Sequence, residues 1–345
     1  MIECENWGSI LKDTSYCKKK KIIIYGAGAV GRLVAPYLLK KNGLDHYVVN
    51  YVDNDERKHG TFADLNGRKV RIISVEDSLQ YNDCLWLITN GNYDAVLSSL
   101  EQRDSLKETK YIILPKIQSM LTDSKTDTSI IKISETPLIP KVIHYIWLGG
   151  NEIPERLQKC IDSWKKVCPS YEIKQWDESN LDLTSNAYVK QAYEMKKYGF
   201  ASDLLRMVIL YKHGGIYIDT DVELIKPLDD MLYQTGFCGV EKWGYVNSGG
   251  SMGCAPGNSV VKQIIDYRKN EQFVISDGNL NMTTCGIFET LPLVKKGFRL
   301  DNTLQTIDDM NIYPADFFCP FNYMNKKLTI SDNTFCIHHF DNSWK

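Results

Sequence analysis

Asp219 and Asp221 stand one residue apart where a short apolar run ends, in "LLRMVILYKHGGIYIDTDVELIKPLDD", residues 204–230. Two carboxylates this close repel each other, so the pair is costly unless positive charge lies between them. Hard oxygen ligands at this spacing suit Mg2+ or Mn2+, which keep positions open for substrate phosphates. Alternate residues of a strand point to opposite faces, and at its frayed end i and i+2 share one side. Both acids can therefore face one ligand. Upstream, Asp203 and Arg206 sit three apart in a helical run and share a face. A carboxylate able to accept sugar or ribose hydroxyls thus lies beside a guanidinium able to reach them or a phosphate. A local helix salt bridge fits the same letters. The spelling Asp-X-Asp alone proves little: Asp53-Asn54-Asp55 is another, and a turn after a strand accounts for it.

A second constellation is Gly26-Ala27-Gly28-Ala29-Val30-Gly31, a GxGxxG between the apolar run "KIIIY" and an amphipathic stretch. In that context Gly26, Gly28 and Gly31 let the backbone approach a pyrophosphate at a helix N-terminus. Asp53, at the end of the next strand, is placed to bind a ribose hydroxyl. A tight turn with a close helix–strand contact would use the same three glycines. Tyr193 and Lys197 spell YxxxK, but in the other half of the chain, where the stretch reads as a solvated helix face.

The elements around these residues fall into two sets. Strands "KIIIY", "YVVNYV", "RKVRIIS", "CLWLIT" and "KYIILP" alternate with helical stretches, the pattern of a parallel, doubly wound sheet. A stretch rich in Ser, Thr, Asp and Lys follows, and a new strand starts in "PKVIHYIWLGG". The expected organisation is a Rossmann-like α/β domain over 1–125, a linker over 126–138, and a mixed α/β domain over 139–345. In the second half "FASDLLRMVILYKHGG" is a helix closed by glycine, with Ser202 as its expected N-cap.

Composition excludes some functions. With 24% charged residues and a formal net charge of −2, nothing draws the chain toward nucleic acid. The 10 cysteines are scattered with no CxxC pair, as expected of reduced, buried thiols. The amino terminus lacks the apolar core of a secretory signal, and no apolar run is as long as a membrane span. A cytoplasmic protein is the expectation. Four lysines at 18–21 could touch an anionic membrane surface or simply be solvated. No pattern fixes an oligomeric state.

The stretch "ASDLLRMVILYKHGGIYIDTDVELIKPLD" resembles the core signature of glycosyltransferase family 32, DXD sugar transferases related in fold to the catalytic domain of the large clostridial toxins. The resemblance implies a GT-A-type domain and a metal-dependent, retaining transfer from a nucleotide-sugar donor to a glycan, lipid-linked or protein acceptor, as in surface polysaccharide synthesis. It implies roles for Asp203, Arg206, Asp219 and Asp221, with Asp221 on the metal and Asp219 toward ribose and metal. In "KVIHYIWLGG" it places Ile146 and Trp147 with the nucleotide, and Trp147 favours a UDP-sugar. In "VNSGGSMGCAPGN" it selects Asn247 in the sugar pocket. In the terminal "CIHHFDNSW" it selects His339 for the metal shell, and Ser343 and Trp344 over the diphosphate. Gly286 is followed by Ile287 where the family commonly has Gly-Pro, a departure on the acceptor side. The first domain, through "IIIYGAGAVG", "YVDNDERKHG" and "NGRKV", resembles Rossmann domains that bind nucleotide-sugars, implying a nucleotide or nucleotide-sugar there. A non-catalytic nucleotide-sugar sensor, or an oxidoreductase or epimerase run by the first domain, are the alternatives.

Overall fold

The computed structural model describes residues 1–4, 20–81, 83–119, 131, 133–275, 278–323 and 325–341. The chain separates into two compact units, Met1–Gln118 and Ser119–Lys345.

The first unit is built on β1 (Ile2–Glu3), β2 (Lys21–Tyr25), β3 (Val48–Val52), β4 (Phe62–Leu65), β5 (Arg68–Ile73), β6 (Cys84–Ile88) and β7 (Lys110–Ile113). Its helices are α1 (Ala35–Lys41), α2 (Val75–Ser78), α3 (Tyr93–Glu101) and α4 (Leu114–Ser119). The sheet order is β1-β7-β6-β2-β3-β5-β4, parallel throughout except for β4 on β5. Ile22 and Ile24 enter one core with Leu85 and Leu87, while Ile23 and Tyr25 enter the other with Trp86 and Ile88. A strand buried on both faces is an unbroken apolar run, which is why "KIIIY" announces itself in the sequence. Strand order reverses between β2 and β6, and the carboxyl ends of such a pair are where open α/β sheets leave a crevice. Strands β1 and β4 are additions that the sequence patterns do not announce.

The second unit contains β8 (Val142–Ile146), β9 (Glu172–Trp176), β10 (Gly215–Tyr217), β11 (Val222–Leu224), β12 (Gly236–Val240), β13 (Val246–Cys254), β14 (Gln305–Ile307), β15 (Met310–Tyr313), β16 (Phe321–Asn322), β17 (Lys327–Leu328) and β18 (Cys336–His338). Its helices are α5 (Glu155–Val167), α6 (Ala187–Glu194), α7 (Tyr198–His213), α8 (Ser259–Arg268), α9 (Cys285–Val294) and α10 (Ala315–Phe318). Seven strands form a mixed sheet in the order β14-β15-β12-β13-β10-β8-β9, and β11 pairs separately with β18. Helix α5 leads from β8 to its outer neighbour β9, and α6 with α7 carry the chain back past β8 to β10. The order therefore reverses between β8 and β10, so this sheet too has a crevice at its switch point.

Two details differ from expectation. Helix α7 begins at Tyr198, so Ser202 lies one turn inside it and its hydroxyl donates to Tyr198 O at 2.9 Å instead of capping. The described end of the expected linker is held to the second unit, with Ser134 N donating to Tyr233 O and Leu138 N to Leu232 O, at 2.7 and 2.8 Å. Residues 126–130 and 132 of that linker lie outside the described residues. Among the described residues no helix is long and apolar enough to cross a membrane.

Candidate active site

The approach to the acidic pair is set by a turn that only glycine fits. At the end of α7, Gly214 and Gly215 have φ of 65° and 85°, a region L side chains rarely adopt. A Cβ at Gly215 would stand 2.8 Å from both His144 Nε2 and Val142 O. His144 secures this turn from β8: its ring accepts from Trp176 Nε1 at 3.1 Å and donates from Nε2 to Gly214 O at 3.0 Å. Burial, against the Gly214 bond, pushes His144 down to about 4, so it is a neutral, structural histidine. Strand β10 then runs parallel to β8, with Ile216 opposite Ile143 and Tyr217 opposite His144. Ile146 ends β8, and Trp147 continues it with its indole donating to Asn151 O at 2.7 Å. Trp147 and the acidic pair thus extend the carboxyl ends of the two strands that flank the switch point.

Asp219 and Asp221 leave β10 in an order that the chain reinforces. Asp219 N donates to Gly249 O at 2.9 Å, and Tyr217 OH donates to Asp219 Oδ1 at 3.0 Å. Arg206, 3% exposed, reaches from α7 with Nη2 at 2.5 Å from Asp203 and 3.5 Å from Asp219. Burial works against its charge, but Asp219 and Asp203 outweigh burial and hold Arg206 protonated. Asp203 and Arg206 therefore form a helix salt bridge and a wall of the acidic site at once. Asn247 is buried on β13, its Oδ1 accepting from Gly250 N at 2.7 Å.

The imidazole at this site is His338, not His339. His338 Nε2 lies 3.3 Å from Asp221 Oδ1, and ligand atoms of Asp219, Asp221 and His338 all lie within 4.8 Å of one another. Strand alternation explains the change: Cys336 and His338 share the face toward Gly250, whose carbonyl accepts from Cys336 Sγ. His339 takes the opposite face and pairs with Glu223 at 3.2 Å, its backbone N donating to Asp221 O. Phe340 stacks on His338 at 4.0 Å, and Asp341 N donates to Asp221 Oδ2 at 2.9 Å. The carboxylate of Asp341 is in turn ion-paired with Arg156. Burial raises the Asp221 carboxyl, but the adjacent His338 outweighs it and holds Asp221 below the usual range. The repulsion within the acidic pair is thus already eased by Arg206 on one side and His338 on the other.

Two hard carboxylates and one imidazole are a donor set that fits a divalent cation. The His338 nitrogen beside Asp221 is Nε2; its Nδ1, on the side of Gly250, is buried without a hydrogen-bond partner. Ser343 and Trp344 lie outside the described residues. Tyr193 OH donates to Glu178 at 3.1 Å, and Glu178 also accepts from Gly149 N at 2.6 Å, so the YxxxK tyrosine braces the loop after Trp147. Sequence patterns miss His338, Asp341 and the contact between Ser248 and Glu289. The alternation of "CIHHF" is the available signal for His338.

In the first unit the glycine turn follows β2 as expected. Gly26 has φ of 101°, and a Cβ at Gly31 would lie 1.8 Å from Gly26 O, so both are needed for the turn itself. Gly28 is exposed, and a Cβ added to it would meet nothing within 4 Å. Asp53 is used by the chain: Oδ2 accepts from Ala27 N at 2.7 Å and from Lys58 Nζ at 3.0 Å, and Oδ1 from Asp55 N at 2.9 Å.

Fold and site together define a crevice at the switch point of an α/β sheet, lined by groups that suit a cation. Residues 154–238, which include the acidic pair, match the family model described as a glycosyltransferase sugar-binding region containing a DXD motif. Inositol phosphoceramide mannosyltransferase 3 of Schizosaccharomyces pombe is 36% identical over 108 residues, covering 29% of each chain. An uncharacterized glycosyltransferase of Acanthamoeba polyphaga mimivirus is 27% identical over 202 residues, covering 53% of this chain and 78% of that one. The chain spans less than a third of the yeast protein's length. A solved PaToxG glycosyltransferase is 19% identical, with 59% of this chain and 79% of that one covered at a TM-score of 0.32.

Proposed function

We propose that the second unit is a metal-dependent glycosyltransferase that moves a sugar from a nucleoside-diphosphate donor to a glycan, lipid-linked or protein acceptor. One observation carries this reading: Asp219, Asp221 and His338 bring ligand atoms within 4.8 Å of one another at the switch point of the sheet. The matched stretch and the two related glycosyltransferases support the choice of reaction. Mn2+ or Mg2+ held by these three side chains would supply Lewis-acid stabilisation of the departing diphosphate. The chain's own part is orientation. Arg206, kept charged, faces the same space as Asp219 and is aimed at phosphate or sugar hydroxyls. Asp203 fixes that guanidinium, and Trp147 offers a ring face to a base, with UDP favoured over GDP. Asn247 lines the sugar side, and transfer with retention follows from the family resemblance. The reading extends to a cytoplasmic protein at or near the inner membrane face, working in surface polysaccharide synthesis. The glycine turn of the Rossmann-like first unit would hold a nucleotide or nucleotide-sugar.

The test is donor hydrolysis by the purified protein with Mn2+, over UDP-sugars, GDP-sugars and mannose donors in particular, since a related protein is a mannosyltransferase. Nucleotide release from one donor, abolished by EDTA and restored by Mn2+, is the expected result. Binding of a nucleoside diphosphate without release from any donor, even with candidate acceptors present, would overturn the enzyme and leave a sensor.

A further inference from the structure

We infer that Glu289 is a positioning residue of this site: from α9 it takes the place of a strand partner for Ser248, the first residue of the bulge Ser248–Ser251, and through Ser248 sets Arg206 against Asp219. The inference rests on the glycosyltransferase reading for what the site binds, but the clamp itself is visible in the backbone. Along the β12–β13 pair, Cys238 faces Met252 and the next residue, Gly239, faces Asn247. Residues 248–251 therefore have no partner in β12, although all four are buried. Buried backbone groups need partners: Asn247 Oδ1 serves Gly250 N within the bulge, and side chains of α9 serve Ser248 N and, just before the bulge, Val246 N. Ser248 N donates to Glu289 Oε2 at 3.1 Å, Ser248 Oγ donates to Oε1 at 2.6 Å, and Val246 N donates to Thr290 Oγ1 at 2.8 Å.

The bulge held in this way carries two contacts to the acidic site. Its Gly249 O receives Asp219 N at 2.9 Å, and its Ser248 Oγ receives Arg206 Nη1 at 3.2 Å. The fit is close: a Cβ on Gly249 would stand 2.1 Å from Asp219 Oδ2 and 3.0 Å from Arg206 Nη1. A shift of the bulge therefore moves both residues together. Glu289 is 0% exposed and meets two neutral donors, an expensive place for a carboxylate. Burial pushes it up to about 7 despite the pull of Arg206 and Ser248. An apolar side chain of similar volume would cost the fold less, but it would leave Ser248 N and Oγ without their acceptor.

The experiment compares wild type, Glu289→Met, Glu289→Gln and Ser248→Ala. Calorimetry reads binding of UDP and of GDP with Mn2+, donor turnover gives KM and kcat, and amide hydrogen exchange follows 246–251 and 219–221. Glu289→Met is expected to speed exchange in both segments, to weaken diphosphate binding about tenfold or more, and to raise KM more than it lowers kcat. Glu289→Gln, which keeps an acceptor for Ser248 N, recovers part of each loss. Ser248→Ala weakens binding through Arg206. A folded Glu289→Met with wild-type exchange and affinity overturns the inference. If that variant does not fold, Ser248→Ala with unchanged affinity and KM does so. Should wild type bind neither nucleotide, the glycosyltransferase reading fails, and the exchange data still decide whether Glu289 holds the bulge.

Discussion

The chain carries Asp-X-Asp twice, each time just beyond a β-strand near the switch point of a sheet, and the two copies are used in opposite ways. Asp53 is spent on its own loop: it accepts from Ala27 N, Asp55 N and Lys58. Asp55 is likewise occupied by the backbone and guanidinium of Arg57, which hold its carboxyl down at about 2. Asp219 and Asp221 also have partners in the chain, Tyr217 and Arg206 for one and Asp341 N and His338 for the other. These come from separate elements, however, and bring ligand atoms of both acids and His338 within 4.8 Å of one another. The difference teaches that the motif is defined by what distant elements gather around it. Three letters at a strand end are compatible with either outcome.

Removing one acid from each copy should expose this contrast most strongly. Asp221→Ala is expected to lower donor hydrolysis on the order of 100-fold or more, the scale of losing a principal electrostatic stabiliser. It should also abolish the response to Mn2+. Asp53→Ala should leave kcat and KM for the donor unchanged and cost about 1–3 kcal/mol of stability in urea unfolding, the penalty for unsatisfied partners. Equal loss of turnover in both variants would break the comparison.

A pH titration sharpens it through the elements that deliver the second acidic pair. His144, buried and neutral, is held near 4, whereas an unfolded histidine titrates near 6.5. Its folded-state pKa is lowered, so as pH falls from about 6.5 to about 4 the unfolded chain takes up a proton that the native site refuses. Stability is thus fully present above that window and is lost within it, by about 3 kcal/mol at most. His144→Gln keeps an acceptor and a donor for Trp176 and Gly214, and should flatten this part of the stability–pH curve measured by urea midpoints. An identical slope in wild type and variant would remove His144 from the account of how the Gly214–Gly215 turn is secured.

What the sequence shows and hides follows the same physics. Strands β2 and β6 are legible because burial on both faces makes them near-continuous apolar runs, and β8 because His144 alone interrupts its "VIHYI". Strand β13 is not, although it is buried throughout, because "VNSGGSMGC" keeps small residues where the bulge must pass close to Asp219. The acidic pair, Asp203 and Arg206 are legible from local spacing, since i, i+2 and i, i+3 relations are fixed by the element itself. His338 in place of His339 depends on which face of a two-stranded pair is inward: the alternation of "CIHHF" separates the two histidines, and contacts with Gly250 and Asp221 on other elements decide between them. Glu289 is invisible for the same reason: its partner Ser248 lies on another element, and a Glu in "GIFETLP" reads as an ordinary helix acid. Ser202 looks like a cap only because the letters before it do not reveal that α7 already starts a turn earlier, at Tyr198.

The smallest expected effect bears on whether the first unit holds a ligand at all. Gly31 cannot accept a Cβ, which would lie 1.8 Å from Gly26 O, so Gly31→Ala should disrupt the turn whatever it binds. Gly28 is different: it is exposed, has nothing within 4 Å of an added Cβ, and does not need positive φ. The fold has no use for a glycine there, and Gly28→Ala should change stability by no more than about 0.5 kcal/mol. A pyrophosphate drawn close to that backbone would feel the methyl group directly. Made in an Asp221→Ala background, which weakens nucleotide binding at the second unit, Gly28→Ala should reduce residual nucleotide affinity several-fold at unchanged urea midpoint. Unchanged affinity would mean that all three glycines serve only the turn, and that the first unit's crevice, like its Asp-X-Asp, is satisfied by the chain alone.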